Sequence, residues 1–375
     1  GAKAVWGLEN GSDIKNAYAE GSKAFTENEE VKKEIQELNK KIYEKTDKKI
    51  NEIYENGRKS SLEYFDSVYQ RLGTHFDYFF FESEVANFGK EIVEKNIGKV
   101  FEKGDGGAVI FKAENFDKTL HTRVFINGEG LPTYEAKELG LAKIKYEKFK
   151  YDKSVIITGN EINDYFKVLL CAMKQLFPEL AEKTIHLSHG MLRLPSGKMS
   201  SRTGDVITVE DLIGLVKEKT KGDEAVAVGA IKYMILRQAI GGDIIFDLEK
   251  SVSTEGDSGV YLQYSHARAY SILEKAKSEN IKPDFTQLPG EVYEVEKLLY
   301  RFPEVILRSA YLYEPHHIVN YLTELARAFN SFYGNNTIVN KDDANSPYKV
   351  ALAFAFAQVM QKGLNLLGIE APEKM

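Results

Sequence analysis

The chain predicts an α/β nucleotide-binding domain of the Rossmann-like kind followed by an all-α helical bundle, and three observations carry that prediction. Strand-like and helix-like segments alternate between residues 109 and 177. A glycine-bounded loop, Gly197-Lys198-Met199-Ser200-Ser201-Arg202-Thr203-Gly204, closes a strand-like segment and opens a helix signalled by Thr208 and Asp211. Beyond about Asp223 the apolar periodicity is almost wholly helical. A length of 375 residues, 43% hydrophobic and 28% charged, is ample for two or three buried cores.

Taken in order, a capping-box pattern of Thr26 with Glu29 opens a helical run. Its Val31, Ile35, Leu38, Ile42, Ile50 and Ile53 recur at three- and four-residue spacings up to Gly57. Leu62, Phe65, Val68, Tyr69 and Leu72 predict a second amphipathic helix ending at Gly73, and residues 76–81 read as a buried strand. Strands are predicted at 109–111, 123–126 and 155–157, and helices at 134–142 and 164–177. Strand, helix, strand in that order implies a parallel sheet, with ligands at the carboxyl ends of its strands. The Lys198 loop and the Gly159-Asn160-Glu161 turn each follow a strand and are placed at one crevice. Helices follow at 225–238, 260–278, 292–313, 317–333 and 348–367, with a β-like interruption at 244–246 and a linker at 282–290. The expected division is 1–222 and 223–375, with 223–255 as a possible connecting stem.

Composition removes several function classes. Cys171, the single cysteine, cannot form an internal disulfide and reads as packing. No apolar run reaches membrane-spanning length and residues 1–10 carry no secretory pattern, so a cytoplasmic protein is expected; a monomer is a separate expectation that these features do not carry. A net charge of −6 argues against indiscriminate nucleic-acid binding, though a local basic face still suffices for a folded RNA. His316 and His317 lack further metal ligands in this reading, and no protein-bound metal is expected.

Lys198 between two glycines, beside Ser200, Ser201 and Arg202, suits a polyphosphate: a point charge, two short hydroxyl donors and a second cation. The ordinary alternative is a solvated loop, with Arg202 paired to a carboxylate. Tyr134 and Glu138 stand one helical turn apart, so a phenol and a carboxylate share a face that can grip a guanidinium, or simply form an exposed helix surface. Phe329 and Tyr333 are also one turn apart, and Tyr264, His266 and Arg268 open another helix; core packing is the ordinary reading of such aromatics.

Several of these segments together resemble one family, the class I arginyl-tRNA synthetases, from about Val5 to Met375. The Lys198 loop resembles the family's variant of the KMSKS loop, with Ser201 where a second lysine often stands. Gly130-Leu131-Pro132-Thr133-Tyr134-Glu135-Ala136-Lys137 resembles its amino-acid recognition helix. Tyr261-Leu262-Gln263-Tyr264-Ser265-His266-Ala267-Arg268 resembles the start of its anticodon-binding bundle, and Leu366-Leu367-Gly368-Ile369 with Pro372-Glu373-Lys374-Met375 its C-terminal end.

The resemblance implies ATP, brought with Mg²⁺, L-arginine and tRNA(Arg) as ligands, and arginyl-adenylate formation followed by transfer to the tRNA 3′ end. It assigns Lys198, Ser200, Ser201 and Arg202 to the phosphates, Gly159, Glu161, Gly190 and Met191 to the nucleoside, and Tyr134 and Glu138 to arginine. Tyr264, Arg268, Phe329, Tyr333 and Met375 fall to unpaired RNA bases. Two departures stand out: Glu138 replaces the more usual aspartate, and Ile162 replaces a frequent glutamine. The family's His-x-Gly-His element is missing, since His186-Leu187-Ser188-His189 has serine where glycine is required and reads as strand packing. The expectation is therefore a synthetase without its N-terminal portion. Two rivals remain: a non-catalytic tRNA-binding module, and an ATP-binding helical adaptor without an RNA role.

Overall fold

The computed structural model describes residues 1–11, 16–193, 195, 208–286 and 288–375. The chain divides into two compact units: unit 1 is 1–75, 192–239 and 244–375, and unit 2 is 76–191 with 240–243.

Unit 1 opens with four helices, α1 (Ala2–Glu9), α2 (Ala17–Glu27), α3 (Glu29–Glu44) and α4 (Lys48–Arg71). Val5, Ile35, Leu38 and Ile50 meet in a small core. The helix start expected at Thr26 lies elsewhere. Thr26 is inside α2 with its hydroxyl donating to Ser22 O at 3.0 Å, and the Asn28 side chain caps α3 by accepting from the Glu30 and Val31 amides. The single run expected up to Gly57 is two helices. Lys45 turns left-handed at φ 54° and Asp47 caps α4, which then runs through Gly57. One helical glycine costs only about 1 kcal/mol, less than the tertiary packing of the surrounding turns supplies.

Unit 2 comprises α5 (Glu82–Glu94), β1 (Glu102–Lys103), β2 (Val109–Phe111), β3 (Arg123–Ile126), α6 (Tyr134–Phe149), β4 (Ser154–Gly159), α7 (Asn163–Leu176), α8 (Pro178–Lys183) and β5 (Thr184–His189). Residues 76–81 form no strand, and Phe76, Tyr78 and Phe79 are about half exposed. Without a partner strand their rings pack on one another and on Phe149, with Tyr78 4.3 Å from it. The sheet is also less parallel than expected. β1, β2 and β3 are antiparallel, because the link from β2 to β3 contains only a short 3₁₀ turn and no crossover helix. Only β4 and β5, joined through α7 and α8, form the predicted strand–helix–strand pair, with Gly159 opposite His189.

Unit 1 resumes with β6 (Leu192–Arg193), α9 (Val209–Lys219), α10 (Glu224–Leu236), β7 (Ile244–Ile245) and α11 (Leu248–Ser251), β6 pairing parallel with β7. The capping box at Thr208 and Asp211 forms as predicted. The remaining helices are α12 (Gly259–Ser278), α13 (Glu294–Tyr300), α14 (Phe302–Leu312), α15 (His316–Asn335) and α16 (Ser346–Leu366). The run expected over 292–313 breaks at Arg301, and Pro303 occupies the first turn of α14, where its missing N–H costs nothing. One extensive core, with Leu262, Val319, Leu325, Phe329, Phe356 and Met360 at its centre, joins α9, α10, α12 and α13 to α16.

Candidate functional site

In unit 2, Thr133 fixes the start of α6 on β3: its amide donates to Phe125 O at 3.0 Å and its hydroxyl to Val124 O at 2.9 Å. Tyr134 is the first residue of α6 and is 65% exposed, with the Lys137 ammonium 5.2 Å from its ring centre. Glu138 follows one turn later and is half-buried. Burial pushes its carboxyl group above the ordinary carboxylate range; the positive charge of Lys145 opposes that shift and Glu82 adds to it. Lys145 is correspondingly held down by burial and donates to Ser154 Oγ at 2.6 Å. A carboxylate whose ionised form is starved of water gains more from a guanidinium than a hydrated one does.

Around this pair lie charged side chains that sequence reasoning missed. Arg123 Nε meets the buried Glu135 carboxylate at 2.8 Å, and the buried Lys137 meets Glu82 at 2.6 Å. The Tyr165 hydroxyl is buried without a hydrogen-bond partner among the described residues, its ring 5.4 Å from the Arg123 guanidinium, and burial followed by Glu138 and Glu135 raises its pKa far above the ordinary phenol value. The alternation of charges in Glu135-Ala136-Lys137-Glu138 was the available signal, but periodicity assigns such residues to solvent.

Gly159 and Gly190 lie at the carboxyl ends of the neighbouring parallel strands β4 and β5, the ligand side of such sheets. A Cβ at Gly159 would lie 2.3 Å from the Glu161 carboxylate, and one at Gly190 would lie 2.0 Å from Gly242 O. The Met191 amide donates to Asp243 Oδ1 at 2.9 Å, and His189 Nδ1 lies 2.8 Å from Gly190 O. Close packing against main chain thus requires glycine at 190, whereas the contact at Gly159 is with the movable end of a side chain; of the main-chain groups here, Gly190 O and the Met191 amide have protein partners. His186 stacks on Phe166 and its Nε2 lies 2.7 Å from Thr158 Oγ1, the strand packing expected of it. Lys198, Ser200, Ser201 and Arg202 lie outside the described residues.

In unit 1 the Arg268 guanidinium sits between two half-exposed rings, 4.9 Å from the centre of Tyr264 and 5.1 Å from that of Tyr333. Asn330 accepts from Arg268 and donates to Tyr261 Oη and Ser265 Oγ, which holds the stack in place. Phe329 is a correction. It is fully buried and stacked 3.8 Å from Phe356, so neither face is open to a base. The i and i+4 spacing from Phe329 to Tyr333 suggested a shared face, but only the second ring reaches the rim of the core. Met375 is half exposed, and the segment leading to it is held along α12 by Gln263 Nε2 donating to Glu370 O and by His266 at Pro372 O.

The family described as "tRNA synthetases class I (R), catalytic domain" matches residues 8–248, and the "DALR anticodon binding domain" matches residues 262–375. Arginine–tRNA ligase of Treponema denticola is 34% identical over 342 residues, covering 84% of this chain and 58% of the relative. That of Amoebophilus asiaticus is 32% identical over 340 residues, covering 83% and 56%. The chain spans a little over half the length of the curated relatives it matches. Among solved structures, arginyl-tRNA synthetase of Plasmodium falciparum aligns with a TM-score of 0.77 at 19% identity, over 100% of this chain and 67% of that one. The Thermus thermophilus enzyme aligns at 0.68 and 20%, over 100% and 78%. A catalytic match over more than half of the residues, followed directly by the anticodon-binding match and set on the same fold, means that this chain belongs to the class I arginyl-tRNA synthetases.

Proposed function

We propose that this chain is the part of an arginine–tRNA ligase that recognises arginine, contributes to ATP binding and holds tRNA(Arg). The observation that carries the reading is the order of two modules, an arginine-class catalytic match over 8–248 and an anticodon-binding match over 262–375, in one polypeptide. The complete reaction joins the arginine carboxylate to the α-phosphate of ATP, expels pyrophosphate, and moves the arginyl group to the tRNA 3′ end. In this reading Glu138 pairs with the substrate guanidinium and Tyr134 flanks it. Supporting the assignment is the half-buried state of Glu138, whose carboxylate has the positive charge of Lys145 acting in its favour against the cost of burial.

Lys198, Ser200, Ser201 and Arg202 take the phosphates, with Mg²⁺ arriving on the nucleotide, and Lys198 balances charge that develops during adenylate formation. The carboxyl ends of β4 and β5, with Gly159, Glu161, Gly190 and Met191, take the nucleoside; their position on the sheet supports this. The Tyr264–Arg268–Tyr333 stack offers two ring faces to unpaired RNA bases, and Met375 joins it from the chain end. We further infer a working division near residue 223, a monomer, and the cytoplasm as the site of action. No described helix is long and apolar enough to cross a membrane.

Equilibrium binding of the chain to tRNA(Arg) and to a tRNA for another amino acid tests the reading. Preference for tRNA(Arg), lost when its anticodon loop is exchanged, is expected; equal affinity for both would overturn it.

A further inference from the structure

The turn from α14 into α15 gathers three metal-ligating groups that the proposed function does not use. Glu314 Oε2 lies 2.9 Å from His317 Nε2 and 3.9 Å from His316 Nε2, and the two imidazole rings are 4.2 Å apart at their centres. One ligand atom from each residue can be chosen so that all three lie within 4.8 Å of one another. The backbone beneath them is held from both sides. Tyr313 ends α14 in the left-handed region at φ 58°, the Glu314 amide donates to Ser309 O at 3.0 Å, and the Ser309 hydroxyl donates back to Glu314 O at 2.8 Å. Pro315 then starts α15.

His317 Nε2 and His316 Nδ1 are buried atoms without a hydrogen-bond partner among the described residues. The 2.9 Å approach of the Glu314 carboxylate to His317 Nε2 is close enough for a charge contact but is out of line for a hydrogen bond. An imidazole lone pair and a carboxylate oxygen repel at that distance, so either Nε2 carries its hydrogen or a metal ion bridges the two atoms. We propose that Glu314, His316 and His317 form a binding site for a divalent first-row transition-metal ion. Two imidazoles and one carboxylate are the donor set that such ions take, and three protein ligands leave a position for water. The Glu314 charge is essential to the site, because the start of α15 and the nearby Arg308 both oppose a cation.

The test uses the metal-stripped 375-residue chain, with Zn²⁺ titrated against a chromophoric chelator and Co²⁺ as a spectroscopic probe of nitrogen ligation. One ion per chain is expected. His317→Ala, His316→Ala and Glu314→Gln should each weaken Zn²⁺ by at least about tenfold, since even groups outside the ligand set cost that much. Thermal unfolding in chelator shows that each variant is folded, and the more exposed Glu314→Gln keeps the test valid if a histidine variant is not. Absence of Zn²⁺ uptake by the parent, or unchanged affinity in Glu314→Gln and the folded histidine variants, would overturn the proposal and leave a proton between the groups.

Discussion

A carboxylate contributes most to recognition where water serves it least, and Glu138 is such a group. A hydrogen bond to a charged partner is worth about 1.5–3 kcal/mol. Glu138→Gln in the active enzyme should therefore raise the arginine KM by about tenfold to a hundredfold and narrow the preference for arginine over neutral citrulline. Arginine-dependent pyrophosphate exchange measures both; unchanged selectivity would reduce Glu138 to a partner of Lys145. The two aromatics Phe329 and Tyr333, identical in sequence logic, separate in their consequences. Phe329→Ala should cost about 3–5 kcal/mol of stability and leave RNA affinity per folded molecule intact. Tyr333→Ala should do the reverse, losing about 1–3 kcal/mol of tRNA binding for a stacked base with little change in melting temperature. Thermal unfolding and tRNA titration on the same preparations decide between these outcomes.

Among the elements, α6 carries both arginine-recognition candidates and approaches α5 closely at two glycines. A Cβ on Gly89 would lie 2.0 Å from Ala136 O, and one on Gly140 would lie 2.6 Å from Val85 O. Gly89→Ala should force the helices apart, costing about 1–3 kcal/mol and raising the arginine KM by displacing Tyr134 and Glu138, as calorimetry and arginine titration would record. In unit 1 the Glu224 carboxylate ties α10 to α4 and α9, 2.7 Å from Arg71 Nε and 2.8 Å from Lys217 Nζ. These bonds hold its pKa down to about 2 from the model-peptide value of 4.5. A depressed folded-state pKa stabilises above the unfolded value, and the contribution is lost as pH falls from about 4.5 through about 2. Glu224→Gln should therefore lower stability near pH 7 by on the order of 1 kcal/mol, since these pairs are a third exposed. Acid unfolding should show the difference from the parent vanishing at the bottom of that range.

On the scale of the whole molecule, the helices of residues 1–75 belong to the same compact unit as the C-terminal bundle, while the segment 76–191 stands as its own unit. Packing therefore groups the chain differently from the linear order of its two family matches. The 375 residues contain seven histidines and none in a His-x-Gly-His order. Negative charge develops on the phosphates during adenylate formation, and the imidazoles that a His-x-Gly-His element would aim at it are not among these residues. Arginine-dependent pyrophosphate exchange by this chain alone is expected to run far below that of the longer relatives. A rate equal to theirs would show that the residues present here suffice.

Many local signals were legible in the sequence, although the Thr26–Glu29 pattern gave way to a cap at Asn28 and Gly57 did not end its helix. The Thr208–Asp211 box, the helices beyond Asp223, the turn after Gly159 and the family-bearing strings at Lys198, Tyr134 and Tyr261 all lie within a few residues of their cause. Tertiary structure decided what depended on a distant partner. It left residues 76–81 outside any sheet because no strand lies beside them, and it made β2 and β3 antiparallel because their link has no crossover helix. It buried Phe329 against Phe356 while leaving Tyr333 at the rim around Arg268, and it gathered Glu138 and Tyr165 into a charged cluster of low hydration. Periodicity records which face of an element is apolar; which group meets that face, and how much water remains, is set only when the chain folds back on itself.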